Sequence, residues 1–201
     1  MRRNIIAILR GITPPEASDA AEVLLEAGIE QIEVPLNSPA PYASIRAMVE
    51  SHGESALIGA GTVLTLLQVS EVCRAGGRLV VSPNCVPEVI RATKALGMAS
   101  WPGIFTPSEA FAALDAGADG LKLFPGNMAG PEGLKALRAV LPAECPVYAV
   151  GGAGPESFAD WVAAGATGFG IGSALYRPGM PASEIRARAE SIVAAYDEVL
   201  T

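Results

Sequence analysis

One short pattern recurs along this chain and restricts its fold more than any other feature. A helix-like stretch ends in Ala-Gly or a near variant, a few residues follow, and a brief apolar strand begins. It occurs at Ala27-Gly28 before Gln31-Ile32-Glu33-Val34, at Ala75-Gly76-Gly77 before Leu79-Val80-Val81, and at Leu96-Gly97 before Ala99-Ser100-Trp101. It recurs at Ala116-Gly117 before Leu121-Lys122-Leu123 and at Ala164-Gly165 before Gly168-Phe169-Gly170-Ile171. Glycine just past a helix takes the left-handed cap conformation that other residues resist, so each junction reads as a helix end feeding a strand. Ile5 to Leu9, Leu57 to Ala60 and Val147 to Val150 raise the count to eight strands. The intervening segments often open at proline with an acid nearby, as in Pro14-Pro15-Glu16, Pro87-Glu88, Pro107-Ser108-Glu109, Pro131-Glu132 and Pro155-Glu156, which is helix-start chemistry. Eight alternating units predict an α/β fold of the (β/α)8 TIM-barrel type. An open doubly wound sheet permits the same alternation. Closure is favoured because the strands are very short and their polar residues fall at the C-terminal ends of several strands, which in a barrel converge on one mouth.

The chain has 201 residues, half of them hydrophobic, so a single domain over 1–201 is expected. A net charge of −7 argues against nucleic acid or an anionic membrane as partner, and any anionic ligand must be held by local donors. The run Ile5 to Leu9 is too short for a signal sequence, and no segment is long enough to span a bilayer. Cys73, Cys85 and Cys145 lack metal or redox spacing and read as reduced thiols of a cytoplasmic protein. His52, the only histidine, stands beside Gly53 at a predicted helix end, where a capping or surface role fits, and one histidine cannot build a common zinc site. No metal and no cofactor are expected.

Two strands carry a charge they should not. Lys122 sits in Gly120-Leu121-Lys122-Leu123-Phe124-Pro125, and Glu33 lies between Ile32 and Val34. Strand side chains alternate, so Leu121 and Leu123 share one face while Lys122 and Gly120 take the other. A lysine in a partly dry site loses solvation that favours its charged form, its pKa falls from about 10.4, and the free amine can attack a ketone to form a Schiff base. A snorkelling lysine and a buried structural ion pair are the plainer explanations. Opposite charges on two strands of one barrel interior favour the functional one. Val150-Gly151-Gly152-Ala153-Gly154-Pro155-Glu156 and Gly170-Ile171-Gly172-Ser173 follow the seventh and eighth strands, where this fold commonly binds phosphate through backbone N–H groups and a helix N-terminus.

These motifs are recognisable together. Ile8-Leu9-Arg10-Gly11, Ile32-Glu33-Val34-Pro35-Leu36-Asn37-Ser38-Pro39, Ile58-Gly59-Ala60-Gly61-Thr62-Val63, Val81-Ser82-Pro83-Asn84, Leu121-Lys122-Leu123-Phe124-Pro125 and Ala149-Val150-Gly151-Gly152 resemble, in order, the class I aldolases acting on 2-keto-3-deoxy-6-phospho-sugar acids. The Glu33 to Pro39 segment, Val150 and Leu175-Tyr176-Arg177 resemble the phosphogalactonate branch of that family; the phosphogluconate branch carries threonine at Val150. The resemblance implies Lys122 as the imine-forming lysine and Glu33 as the proton shuttle. It implies Arg10, Thr62 and the backbone around Pro83 at the pyruvyl carboxylate or at Glu33, Phe124 as a wall, and Gly151, Gly152, Gly172 and Ser173 at the 6-phosphate. It further implies a phosphorylated keto-acid substrate and a homotrimer, to which Phe158 and Trp161 on an outer helix could contribute unless they pack on the barrel. Gly126-Asn127-Met128 and Trp101-Pro102-Gly103-Ile104-Phe105 depart from the family pattern. The phosphogluconate epimer as main substrate, or both epimers together, other phosphosugar barrels and a non-catalytic binding barrel are the competing assignments.

Overall fold

In the computed structural model, which describes residues 3–200, the five glycine junctions adopt the backbone their sequence implies. Gly28, Gly76, Gly97, Gly117 and Gly165 have φ of 90, 84, 72, 93 and 99°. Each closes a helix that an extended strand then follows: α1 (Pro14–Glu26) before β2 (Gln31–Pro35), α3 (Leu66–Arg74) before β4 (Leu79–Val81), and α4 (Pro87–Ala95) before β5 (Ala99–Trp101). Likewise α5 (Pro107–Asp115) precedes β7 (Leu121–Leu123), and α7 (Phe158–Ala163) precedes β9 (Gly168–Ile171). The remaining elements are β1 (Ile5–Ile8), α2 (Pro41–His52), β3 (Leu57–Gly61), β6 (Gly103–Ile104), α6 (Gly126–Arg138), β8 (Val147–Val150) and α8 (Ala182–Leu200). Helix starts use threonine caps where proline alone does not suffice: Thr65 Oγ1 accepts from Gln68 N and Thr106 Oγ1 from Glu109 N, both at 3.3 Å.

All strand pairs are parallel, in the order β5-β4-β3-β2-β1-β9-β8-β7-β6. The expected eight staves are present, but the fifth is split into β5 and β6. Pro102 lies at the break, where it has no N–H to give to the ladder. The ring still closes through this stave: Ser82 N donates to Trp101 O on one side, and Lys122 N donates to Pro102 O on the other. The seam between first and last staves joins β1 to β9, and α8 clamps it from outside. Phe169 N donates to Asn4 O, Asn4 N donates to the Tyr196 hydroxyl at 3.0 Å, and Arg3 forks onto Asp197 at 2.7 and 2.6 Å.

Two helix starts differ from expectation. Pro131 does not open α6; the helix begins at Gly126 and breaks at Gly130 (φ 66°, ψ 171°), so Pro131 starts only its second half. Proline cannot follow a continuous turn without a clash, and Gly130 absorbs the break. Pro155 opens a three-residue 3-10 turn, Pro155–Ser157, and α7 begins only at Phe158. Phe158 and Trp161 are buried, with Phe158 stacked on Phe169 at 4.1 Å between ring centroids, so of their two expected roles they take packing on the barrel. His52 ends α2 with Nε2 3.4 Å from Ser18 Oγ, at the half-buried surface.

Alternation along the strands creates two cores. Outward side chains such as Ile5, Ala7, Ile32, Val34, Leu121, Leu123 and Phe169 pack against the helices. Inward ones, Ile6, Ile8, Leu79, Val81, Trp101, Tyr148 and Val150, fill the barrel. Glu33 and Lys122 occupy positions of the second kind.

Candidate active site

β2 carries Glu33 and β7 carries Lys122 into the barrel interior, where they are 1% and 6% exposed. Burial disfavours both charges. It pushes the Glu33 carboxyl up to about 7, against the opposing pull of Lys122 and then Arg10. Burial likewise lowers the Lys122 ammonium; Glu33 opposes that fall and Arg10 adds to it. Glu33 Oε2 is buried with no hydrogen-bond partner. Such a group is costly to fold around and useful as a proton acceptor. Lys122 Nζ lies 4.7 Å from the centroid of the Phe124 ring, which offers its face to the ammonium. The space for the Glu33 carboxylate comes from the next stave: a Cβ on Gly61 would lie 1.8 Å from Oε2.

Above this pair a cleft of ≈ 290 Å³ opens at the C-terminal ends of the strands. Arg10, Lys122, Phe124, Val150, Gly151, Gly152, Gly172 and Ser173, eight of the residues singled out from sequence, border it. Glu33 borders the deeper chamber, which shares Lys122 and Val150 with the cleft. Val150 leans over Gly170, where a Cβ would meet its Cγ2 at 2.8 Å. Arg10 is exposed and donates to Asn37 Oδ1 at 2.5 Å.

Thr62 and Pro83 stand at the same mouth but border neither the cleft nor the chamber. Thr62 follows β3 with a left-handed backbone (φ 57°), uncommon for a non-glycine residue and costly unless its surroundings enforce it. The Pro83 carbonyl approaches so closely that a Cβ on Gly103 would lie 2.4 Å from it.

The rim differs from expectation in one respect. The helix that follows Gly151-Gly152 does not start beside them, since the 3-10 turn intervenes, and α8 begins well beyond Ser173; the first turn of α6 lies against them instead, where a Cβ on Gly152 would lie 2.8 Å from Asn127 Cβ. The rim is made of the turns themselves, with the Ser173 side chain bordering the cleft. Gly151 and Gly152 have φ of 95 and 79°, a conformation that favours glycine. Arg188 of α8 donates to Ser173 O at 3.5 Å and to Ala174 O at 3.2 Å. The N–H that follows the Ala174 carbonyl, that of Leu175, donates to Gly172 O at 2.8 Å, so the turn is also closed on itself.

Sequence reasoning missed Gly61, Trp101 and Tyr148 as parts of the site, and Glu156 at its rim. Trp101 carried a signal, as a bulky departure from the family pattern. The others acquire a role only when neighbouring staves are brought together. Among the described residues no group of three or more His, Cys, Asp or Glu side chains could hold a metal ion.

The family profile described as KDPG and KHG aldolase matches residues 1–189. The chain belongs to that family. A probable 2-dehydro-3-deoxy-6-phosphogalactonate aldolase of Rhizobium meliloti is 52% identical over 199 residues, covering 99% of this chain and 94% of the relative. The 2-dehydro-3-deoxy-6-phosphogalactonate aldolase of Escherichia coli is 48% identical, covering 98% of this chain and 96% of the relative. A solved structure described as native KDPGal superposes with a TM-score of 0.97 at 48% identity, covering 100% of this chain and 97% of that one. Membership of the aldolase family bears out the resemblance read from the ordered motifs, and the barrel is the fold those motifs implied.

Proposed function

We propose that this aldolase cleaves 2-dehydro-3-deoxy-6-phospho-D-galactonate to pyruvate and D-glyceraldehyde 3-phosphate through a Schiff base on Lys122. The observation that carries the reading is the burial of Lys122 beside Glu33 at the inner end of a cleft whose outer rim is made of glycine turns. The neutral Lys122 amine adds to the C2 ketone, and loss of water leaves a protonated imine. Glu33 takes the C4 hydroxyl proton as the C3–C4 bond breaks; the bonding pair moves into the enamine, and the aldehyde leaves. The same carboxyl then returns a proton to C3, and water hydrolyses the imine to release pyruvate. A carboxyl titrating near 7 can hold and give up a proton at neutral pH, as a shuttle must. Arg10 is placed to meet the carboxylate of the keto acid, and Phe124 walls the site. Thr62 and the Pro83 backbone act on that carboxylate or on Glu33 from the mouth. Gly151, Gly152, Gly172 and Ser173 receive the 6-phosphate.

Agreement with two phosphogalactonate aldolases over nearly their whole length supports this substrate. We further assign the protein to the cytoplasm, from its three free thiols, and to a homotrimer, from the family resemblance; light scattering on the purified protein tests the assembly. Borohydride reduction with pyruvate present should add the mass of a reduced pyruvyl group to Lys122, and pyruvate release should be faster from the galactonate than from the gluconate epimer. No adduct on Lys122 overturns the mechanism, and preference for the gluconate epimer overturns the substrate.

A further inference from the structure

The deep chamber under the reacting pair is closed by a side chain that the reaction itself does not use. Trp101, at the end of β5, points into the barrel and is 8% exposed. Gly120 and Lys122 lie on the same face of their stave, and a Cβ on Gly120 would lie 2.2 Å from Trp101 Cζ3. The indole therefore occupies the place of a side chain at position 120, directly beneath the Lys122 stem. It packs against Tyr148, with ring centroids 4.1 Å apart and planes tilted by 39°. Tyr148 in turn lies over Gly168, where a Cβ would come within 2.6 Å of Cε1. Two large rings fill the floor because two neighbouring staves leave room for them.

The chamber bounded by Glu33, Lys122, Trp101 and Tyr148 has a volume of ≈ 10 Å³. That is the lower edge of the roughly 10–15 Å³ that one water molecule needs. We propose that Trp101, seated over Gly120 and against Tyr148, is a positioning residue that closes the barrel beneath Lys122 and Glu33 and keeps water out of the space through which the proton moves. The inference rests on the aldolase reading for its purpose, though not for its test. The charged or titratable groups facing Glu33 are Lys122 of β7, Arg10 after β1 and Tyr148 of β8. β3 meets it with Gly61, β1 with Ile6 and Ile8, and β4 with Val81. Removing the indole thus hydrates the carboxyl while leaving every charge in place.

The test is a carbon-13 NMR titration of the Glu33 carboxyl, its signal assigned by its loss in Glu33→Gln. In Trp101→Leu the midpoint should move from about 7 toward the ordinary value of 4.5 by about one pH unit or more, because water restores the charged form. Trp101→Phe, which keeps an aromatic floor, should stay near the wild-type midpoint. The acid limb of the kcat/KM profile should follow the same order, with kcat falling more than KM rises. Gly120→Ala should also lower kcat by displacing the indole, and Trp101→Leu in the same chain should suppress that added loss. An unchanged Glu33 midpoint in a folded Trp101→Leu protein overturns the proposal. Should that variant fail to fold, Trp101→Met is titrated against the same criterion. The NMR titration reads Glu33 whether or not the protein forms an imine, so its failure is distinct from failure of borohydride trapping.

Discussion

Lys122 and Glu33 lie on strands at 6% and 1% exposure, whereas Gly152 and Ser173, across the same cleft, are exposed and lie in turns. The inner end is made of side chains held by the β-ladder, and the outer end of backbone held by glycine geometry and by Arg188. Proton transfer needs groups whose charge is tuned by the loss of water, which only the interior supplies. An anion arriving from solvent needs donors that are reachable and already oriented, which backbone N–H groups provide without a buried cation. In the proposed reading, that division is what lets a chain with net charge −7 accept a phosphorylated acid.

Lys122→Ala breaks the inner end outright. Cleavage and the borohydride-dependent mass increment should both vanish, while circular dichroism and Tm stay close to wild type. Turnover at near wild-type rate would refute the imine assignment.

Glu33→Gln keeps the shape and removes the base, so turnover should drop by about 10²–10⁴. It should also change stability in a pH-dependent way. The folded-state carboxyl titrates at about 7 rather than 4.5, so between those values the folded protein holds a proton that the unfolded chain has released. Wild-type stability therefore falls as pH rises from about 4.5 to about 7 and then levels off, a loss of roughly 3 kcal/mol at most. In Glu33→Gln that slope should disappear, as urea unfolding at pH 5 and pH 8 will reveal.

Ser173→Asp tests the outer end alone. A carboxylate facing the phosphate should lower kcat/KM roughly tenfold, the ~1.4 kcal/mol expected of one screened like-charge contact. The loss should shrink with added salt, and imine trapping with pyruvate, which has no phosphate, should persist. Equal kcat/KM for substrates with and without the phosphate would remove the rim from the binding site.

Val150 belongs to both regions, bordering the chamber and the cleft, and its replacement should have the smallest effect. Val150→Thr adds a hydroxyl at nearly constant shape. One neutral hydrogen bond is worth about 0.5–1.5 kcal/mol, so the kcat/KM ratio should move threefold to tenfold toward the gluconate epimer. An unchanged ratio would show that Val150 does not read C4.

The sequence revealed the inner end more fully than its surroundings. A lysine or glutamate alone in a short apolar strand is conspicuous, and glycine at a helix end reports a local backbone need, so both are legible without tertiary knowledge. The fit of Trp101 over Gly120, or of Glu33 against Gly61, joins residues on different staves and exists only once the ring fixes which positions face each other. Pro102 also gave no clear sign of splitting a stave, since proline in a short apolar segment reads equally well as a strand end. Pro131 and Pro155 signalled helix starts correctly in kind. The break at Gly130 and the intervening 3-10 turn shifted what those starts do, because the backbone before each proline must first finish another turn.

The seam between β1 and β9 has a consequence during synthesis. Ile5 leaves the ribosome 164 residues before Phe169, its partner across the seam. At about 5–20 residues per second the first stave waits on the order of ten to thirty seconds with one edge bare. Only then does α8 emerge, bringing Asp197 and Tyr196 to the seam and Arg188 to the Ser173 turn. A nascent chain lacking α8 has neither the Asp197 and Tyr196 contacts at the seam nor the Arg188 contacts to the Ser173 turn, so the emergence of one helix completes the ring and braces its rim together.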